Sequence, residues 1–359
     1  MRRISFKLFS VLALSAMTMF SCGENGDGND DVTPNSSSSV GRVYILNEGV
    51  WGGNDAELSR YSPEEKTITN DYFSNKNGRG LGDVGNDIEV YGGKVYVVMN
   101  TSNTLEVIDK NTGMSVKQVL LTGKQPREVA FYEGYAYVSC YDKSVVKIDT
   151  ATLNIVAECQ IEGGKCEDLC AIDGYLYVAN AWSQTGTGSM IYDSVLTVIN
   201  LSTFQVEKTI TIGLNPKTVV PIGEGRIMVS CNGNYADIPS SLSILDVATE
   251  QVEKLDIEVS NFAVYNNEYA IVYSYSWTSG QQVYTKLNLS TFVTTPWSSA
   301  DQVLVSPYGI AIDPKTQNVY ITDAQNYQTN GDVYVFDAKG VAMLDKHECG
   351  IGPSKIVFL

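Results

Sequence analysis

The last residues of the chain, GPSKIVF at 352–358, read as the front half of a repeat whose back half, GRVYILNEG at 41–49, stands at the other end. Between these pieces one pattern recurs six times: a short apolar strand after a Gly/Pro-rich turn, a second strand ending in Tyr-Val or a similar pair, a third ending in Ile-Asp or Val-Asn, and a fourth. Units of about 40 residues built only from short strands predict a β-propeller. A final strand that completes the first unit closes the ring and hides the edge strands that would otherwise be exposed.

The second strands are anchored at Tyr44, Tyr96, Tyr137, Tyr177, Met228, Ile271 and Tyr320, with spacings of 52, 41, 40, 51, 43 and 49. The unit is therefore about 40 residues and the excess is insertion. Third strands end at Asp109, Asp149, Asn200, Asp246, Asn288 and Asp337, with Tyr61-Ser62 as a looser first copy, and each runs into a turn such as KNTG or LSTF. Asp or Asn there can bond its own downstream backbone. First strands are predicted at 87–90, 128–131, 168–172, 218–221, 262–265, 310–312 and 355–358. They are short and apolar enough to line a central channel. No apolar stripe of helical period follows residue 20, so the expectation is all-β, with a two-domain sandwich as the structural rival. The near-equal copies and the split terminal repeat favour a seven-bladed β-propeller over residues 41–359, its last strand closing the first blade.

Residues 1–21 read as a processing segment: Arg2, Arg3 and Lys7 precede an apolar run from Leu8 to Phe20, then Ser21 and Cys22. The run is too short for a stable membrane span. It is similar to a bacterial lipoprotein signal, which implies a lipidated N-terminal Cys22 after cleavage; an ordinary secretory peptide is the plainer alternative. Residues 22–40 carry that Cys and a polar tether with nothing to bury. Removing the signal takes the formal charge from -16 to -19. An acidic chain without a basic stripe excludes nucleic acid as a partner, and solubility is the plain explanation of the charge.

Six further cysteines (Cys140, Cys159, Cys166, Cys170, Cys231 and Cys349) permit up to three disulfides in an exported protein. Their places within strands suit small buried thiols equally well. The lone histidine, His347, cannot build a His-rich metal site or a Ser-His-Asp set, and is expected at the surface. No cluster of carboxylates is recognisable over the channel, and the recurring Asp residues follow from the repeat. The reading is of a protein that is not an enzyme, with neither a metal nor a resident cofactor.

Insertion is spent unevenly. The loops between second and third strands are short in blades two and three and long in blades one, four, five, six and seven, all on one face. They carry Trp51, Asn54, Trp182, Tyr192, Tyr235, Tyr275, Trp277 and Tyr327. Aromatics in polar surface loops suit a flat ligand or a partner, although any one of them can serve simply to pack a loop. Asn86, Arg127, Lys217, Asn261, Tyr308 and Lys355 precede or open the first strands, where polar groups can converge on one bound molecule.

With the units GKQPREVAF…YVSC…VVKIDTATL and GLNPKTVV…MVSC…LSILDVATE, the ring closure and the signal in view, the chain resembles the YncE-like seven-bladed propellers, specifically exported lipoproteins of Bacteroides type. Within them it looks most like the surface lipoproteins of corrinoid uptake. The resemblance implies capture of cobalamin, a transported ligand rather than a cofactor, and its transfer to a TonB-dependent outer-membrane transporter. It also implies a lipid anchor in the outer membrane, facing the cell exterior. The acidic start of the tether resembles the export tag of such lipoproteins. A glycan-binding surface lipoprotein and a protein-interaction propeller are the alternatives.

Overall fold

The computed structural model describes residues 41–276, 278–297 and 304–359. The signal, Cys22, the tether and Trp277 lie outside the described residues.

Seven four-stranded antiparallel sheets form the blades. The innermost strands are Pro353–Phe358, Gly85–Tyr91, Pro126–Tyr132, Lys165–Ile172, Pro216–Pro221, Asn261–Tyr265 and Pro307–Ile312, for blades 1 to 7 in turn. Each extends its predicted segment toward the N-terminus. In blade 1 the C-terminal Pro353–Phe358 pairs with Val43–Asn47, which continues through Glu57–Ser62 to Thr67–Thr69. This is the expected ring closure. Its joint with blade 7 is tight: a Cβ on Gly309 would stand 2.3 Å from the Ser354 carbonyl oxygen. The Thr322 hydroxyl donates to the Pro353 carbonyl at 2.5 Å while accepting from the Gly309 amide at 2.7 Å.

The core is not one body but seven apolar clusters, each made by the facing sides of two neighbouring blades. Leu46 and Leu58 of blade 1 meet Ile88 and Val97 of blade 2; Tyr320 and Val335 of blade 7 meet Val43 and Ile45 of blade 1. All seven second-strand anchors are buried in these clusters. Burying one such side chain contributes about 1.5–3 kcal/mol, so stability grows blade by blade and the closing pair matters as much as any other.

The turns after the third strands behave as their Asp and Asn residues require. Asp149 Oδ1 accepts from the amides of Ala151 and Thr152 at 3.1 and 2.7 Å, and Asp109, Asp246 and Asn288 repeat the arrangement. Those hydrogen bonds hold the carboxyls of Asp109, Asp149 and Asp246 below their ordinary range.

Three expectations need correction, and the choice left open for the cysteines is decided. A short helix, Tyr72–Asn77, follows blade 1, with its first amides capped by Glu57 and Phe73 buried beneath it. At six residues it is too short to show a helical stripe. The blade 4 insertion is not a loop: its second and third strands run on as Tyr175–Gln184 and Met190–Asn200, with Trp182 opposite Tyr192. The six cysteines of the ring are free and buried. Burial raises their thiols, Cys166 to about 12, which favours the protonated form at neutral pH. His347 is not a free surface residue. It is wedged against the Tyr61 ring, with Nε2 3.0 Å from Asp345 Oδ2.

Candidate functional site

The innermost strands start at the insertion-rich face, so their first side chains surround the upper part of the central channel. A cavity of about 1140 Å³ occupies it, lined by residues of all seven innermost strands and by loops of blades 5, 6 and 7. Of the predicted residues it gathers Asn86, Arg127, Lys217, Tyr235, Asn261, Tyr275, Tyr308, Tyr327 and Lys355. Trp51, Asn54, Trp182 and Tyr192 do not line it. Trp51 stands 81% exposed on its loop. Trp182 packs edge-on against Tyr141 with the Lys165 ammonium 4.3 Å from its ring, and Tyr192 meets Tyr235 at 5.9 Å.

One arc of the wall is charged. Arg127 donates through Nε and Nη2 to Glu167 Oε2 at 3.1 and 2.8 Å, through Nη1 to Asn86, and lies over the Tyr141 ring. Lys217 Nζ reaches the same Glu167 oxygen at 3.2 Å, and the Tyr141 hydroxyl donates to Oε1 at 2.5 Å. Burial opposes ionisation of Glu167, but Arg127 and Lys217 outweigh it and hold this carboxyl at about 2. Next to this knot, Lys355 Nζ sits 2.8 Å from Glu128 Oε2 and 3.4 Å from Asp87 Oδ1.

These carboxylates are a further correction to the sequence reading, which recognised no acidic cluster over the channel. Asp87, Glu128 and Asp168 occupy equivalent places in three successive innermost strands, and Glu89 lies two residues below Asp87. Their in-frame recurrence was visible in the repeat. Asp87 Oδ2 accepts from the Val129 amide at 3.0 Å and Asp168 Oδ2 from the Val219 amide at 2.8 Å, tying blade 2 to 3 and blade 4 to 5. Glu89 is enclosed by the blades yet opens to the cavity. Burial, reinforced by the neighbouring carboxylates, pushes Glu89, Glu128 and Asp168 up to about 7. The predicted cations Arg127, Lys217 and Lys355 are thus held by acidic neighbours that sequence reasoning did not place beside them. Among the described residues, no group of three His, Cys, Asp or Glu is arranged to hold a metal ion.

The opposite arc is aromatic. Tyr308 and Tyr327 of blade 7 meet edge-on at 5.3 Å. The Tyr308 hydroxyl donates to Glu48 Oε1 at 2.9 Å, and its carbonyl accepts from Tyr273 and Asn261 of blade 6. Tyr275 of blade 6 and the 71%-exposed Tyr235 of blade 5 extend the ring faces to the rim. The wall therefore offers flat apolar surface on one side and hydrogen-bond acceptors on the other, a division that suits an amphipathic small molecule.

Residues 41–349 match the family described as "Domain of unknown function (DUF5074)". The chain belongs to this family. No curated protein matches it. Among solved structures this family member is similar to a quinonprotein alcohol dehydrogenase-like protein of Bacteroides thetaiotaomicron VPI-5482, at TM-score 0.65 and 16% identity over 89% of this chain and 78% of that one. It is also similar to hydrazine synthase of Kuenenia stuttgartiensis, at TM-score 0.60 and 18% identity over 74% of this chain and 86% of that one. A third is apo AztD of Citrobacter koseri, at TM-score 0.57 and 11% identity over 89% of this chain and 98% of that one. At such identities the likeness is one of fold.

Proposed function

We propose that this chain is a non-enzymatic binding protein that takes a small, hydroxyl-rich ligand of the glycan class into its central cavity. The observation that carries the reading is the two-sided wall, with Tyr235, Tyr275, Tyr308 and Tyr327 facing a channel that also bears Asp87, Glu89, Glu128 and Asp168. A sugar packs its C–H face on aromatic rings and donates its hydroxyl protons to carboxylates, so one molecule satisfies both arcs. The binding unit is exported, held through Cys22 and its lipid to the outer membrane and facing the exterior, with the tether setting its reach.

The corrinoid reading implied by resemblance comes second. A corrinoid has the area and the amides for the same wall, and would pass to a TonB-dependent transporter. Its phosphate, however, would meet Arg127, Lys217 and Lys355, each already ion-paired to a carboxylate. Titration calorimetry of the full chain with a panel of neutral oligosaccharides and with cyanocobalamin separates the two. Saturable binding of an oligosaccharide, recovered uncleaved, is the expected result. Saturation by cyanocobalamin alone would replace this reading with the corrinoid one, and cleavage of the sugar would overturn the non-enzymatic part.

A further inference from the structure

Lys355 shows what the charged arc accepts: a single ammonium, ion-paired to Glu128 and Asp87. Four carboxylates, Asp87, Glu89, Glu128 and Asp168, surround that one cation, because Arg127 and Lys217 are drawn to Glu167. The four do not share the same duties. Asp87 and Asp168 hold neighbouring blades through backbone amides, and Glu128 holds Lys355. Glu89, among the described residues, takes part in no ion pair and no blade-to-blade hydrogen bond, and its side chain opens to the cavity. Asp87 Oδ1 is shut off from the cavity, with Lys355 at 3.4 Å as its cation, which leaves Glu89 as the carboxylate that faces the open space.

Resting on the glycan reading, we infer that the ligand presents a protonated amine to this arc, so that the glycan recognised is an amino sugar with its amine free. An ammonium brings N–H donors and a full charge to Glu89, and the nearby carboxyls of Glu128 and Asp168 favour that charge at longer range. A metal ion is the poorer occupant, since no three of the described acidic, His or Cys side chains converge on one point. The tyrosines of the opposite arc add ring faces, which attract cations as well as sugar C–H groups. Glu89 is the first carboxylate free to receive the charge. Asp87 and Asp168 keep the shape of the wall.

Three trisaccharides of the same β-1,4 backbone test this, because they differ only at the second carbon: a glucosamine trimer (amine), an N-acetylglucosamine trimer (amide) and cellotriose (hydroxyl). Calorimetry on the full chain at about pH 6 keeps the sugar amine protonated while the lumen carboxyls still carry protons. The expected result is that the glucosamine trimer binds about 10- to 100-fold more tightly than the other two, the span of one charge-assisted hydrogen bond. Its binding also releases protons, read as a dependence of the heat on the buffer's ionisation enthalpy. In Glu89→Gln the preference for the amine falls about tenfold or more. The proton release is measured on the unaltered chain, so the test does not depend on that variant folding. Equal binding of all three sugars, or preference for the acetylated or neutral one, would overturn the inference and leave the glycan reading standing. Failure of all three to bind would overturn both.

Discussion

Blades 1 to 4 and blades 5 to 7 build the channel wall from the same two adjacent positions of the repeat, and they use them differently. The first group places Lys355, Asp87, Arg127, Glu128 and Asp168 there; the second places Asn261 and Tyr308, with Lys217 as the one charged member. The charged arc is largely occupied with itself: Glu167 is gripped by two cations and a phenol, and two aspartates tie blades together. The aromatic arc turns ring surface toward the cavity. The lesson is that apolar side chains of the first, second and third strands do the blade-to-blade packing, so the polar positions that open the innermost strands can diverge. One half of this ring has put them to use as a polar clasp, the other as an aromatic face.

The comparison breaks most severely if the clasp is cut. Arg127→Met leaves Glu167 buried with one cation fewer, and urea unfolding should show a loss of about 3–5 kcal/mol. A loss near zero would mean the charged arc carries no structural load. Next in size is the aromatic arc: Tyr327→Ala and Tyr275→Ala should each weaken ligand binding about 10- to 30-fold by calorimetry, with the fold intact by circular dichroism.

Within the charged arc, two sets of acids respond to pH with opposite sign. Glu167, held at about 2 against an ordinary 4.5, contributes stability above that ordinary value and loses it as pH falls toward 2. Glu89, Glu128 and Asp168, pushed up to about 7 from 4.5, 4.5 and 3.8, bind protons in the folded state that the unfolded chain has released, so stability falls as pH rises through that window. Urea midpoints should therefore peak at about pH 4–5 and decline on both sides, and Glu89→Gln should flatten the alkaline decline. A midpoint that climbs steadily to pH 8 would contradict the placement of the three acids (about pH 8 being past their titration). Smallest of all, Trp51→Ala and Trp182→Ala should change ligand affinity by less than about twofold, as neither lines the cavity.

Much of the fold was legible because the repeat states it seven times. Tyr44, Tyr96, Tyr137, Tyr177, Met228, Ile271 and Tyr320 all mark buried second strands, and the split unit marks the closure. The helix at Tyr72–Asn77 was not legible, since six residues carry no periodic signature and its cap, Glu57, comes from a preceding strand. The blade 4 hairpin was hidden by the Gly-rich QTGTGS turn, which reads as loop on either side of its true two ends. For the site, loop tyrosines were recognised by composition, but which of them face the channel depends on loop backbone that has no period. Trp51 and Trp182, on the same insertions, lie outside the cavity for that reason. The cations at the mouth were identified while their partners were not: Glu167 and Lys217 stand 50 residues apart, and only ring geometry brings them together.

The central claim is that the cavity between the two arcs is the binding site. The structure of the full chain determined with saturating glucosamine trimer tests it most directly. The account predicts sugar against Tyr308 and Tyr327, with an amine within hydrogen-bond reach of Glu89. Sugar bound instead at the exposed rim around Trp51, with the cavity empty, would contradict it.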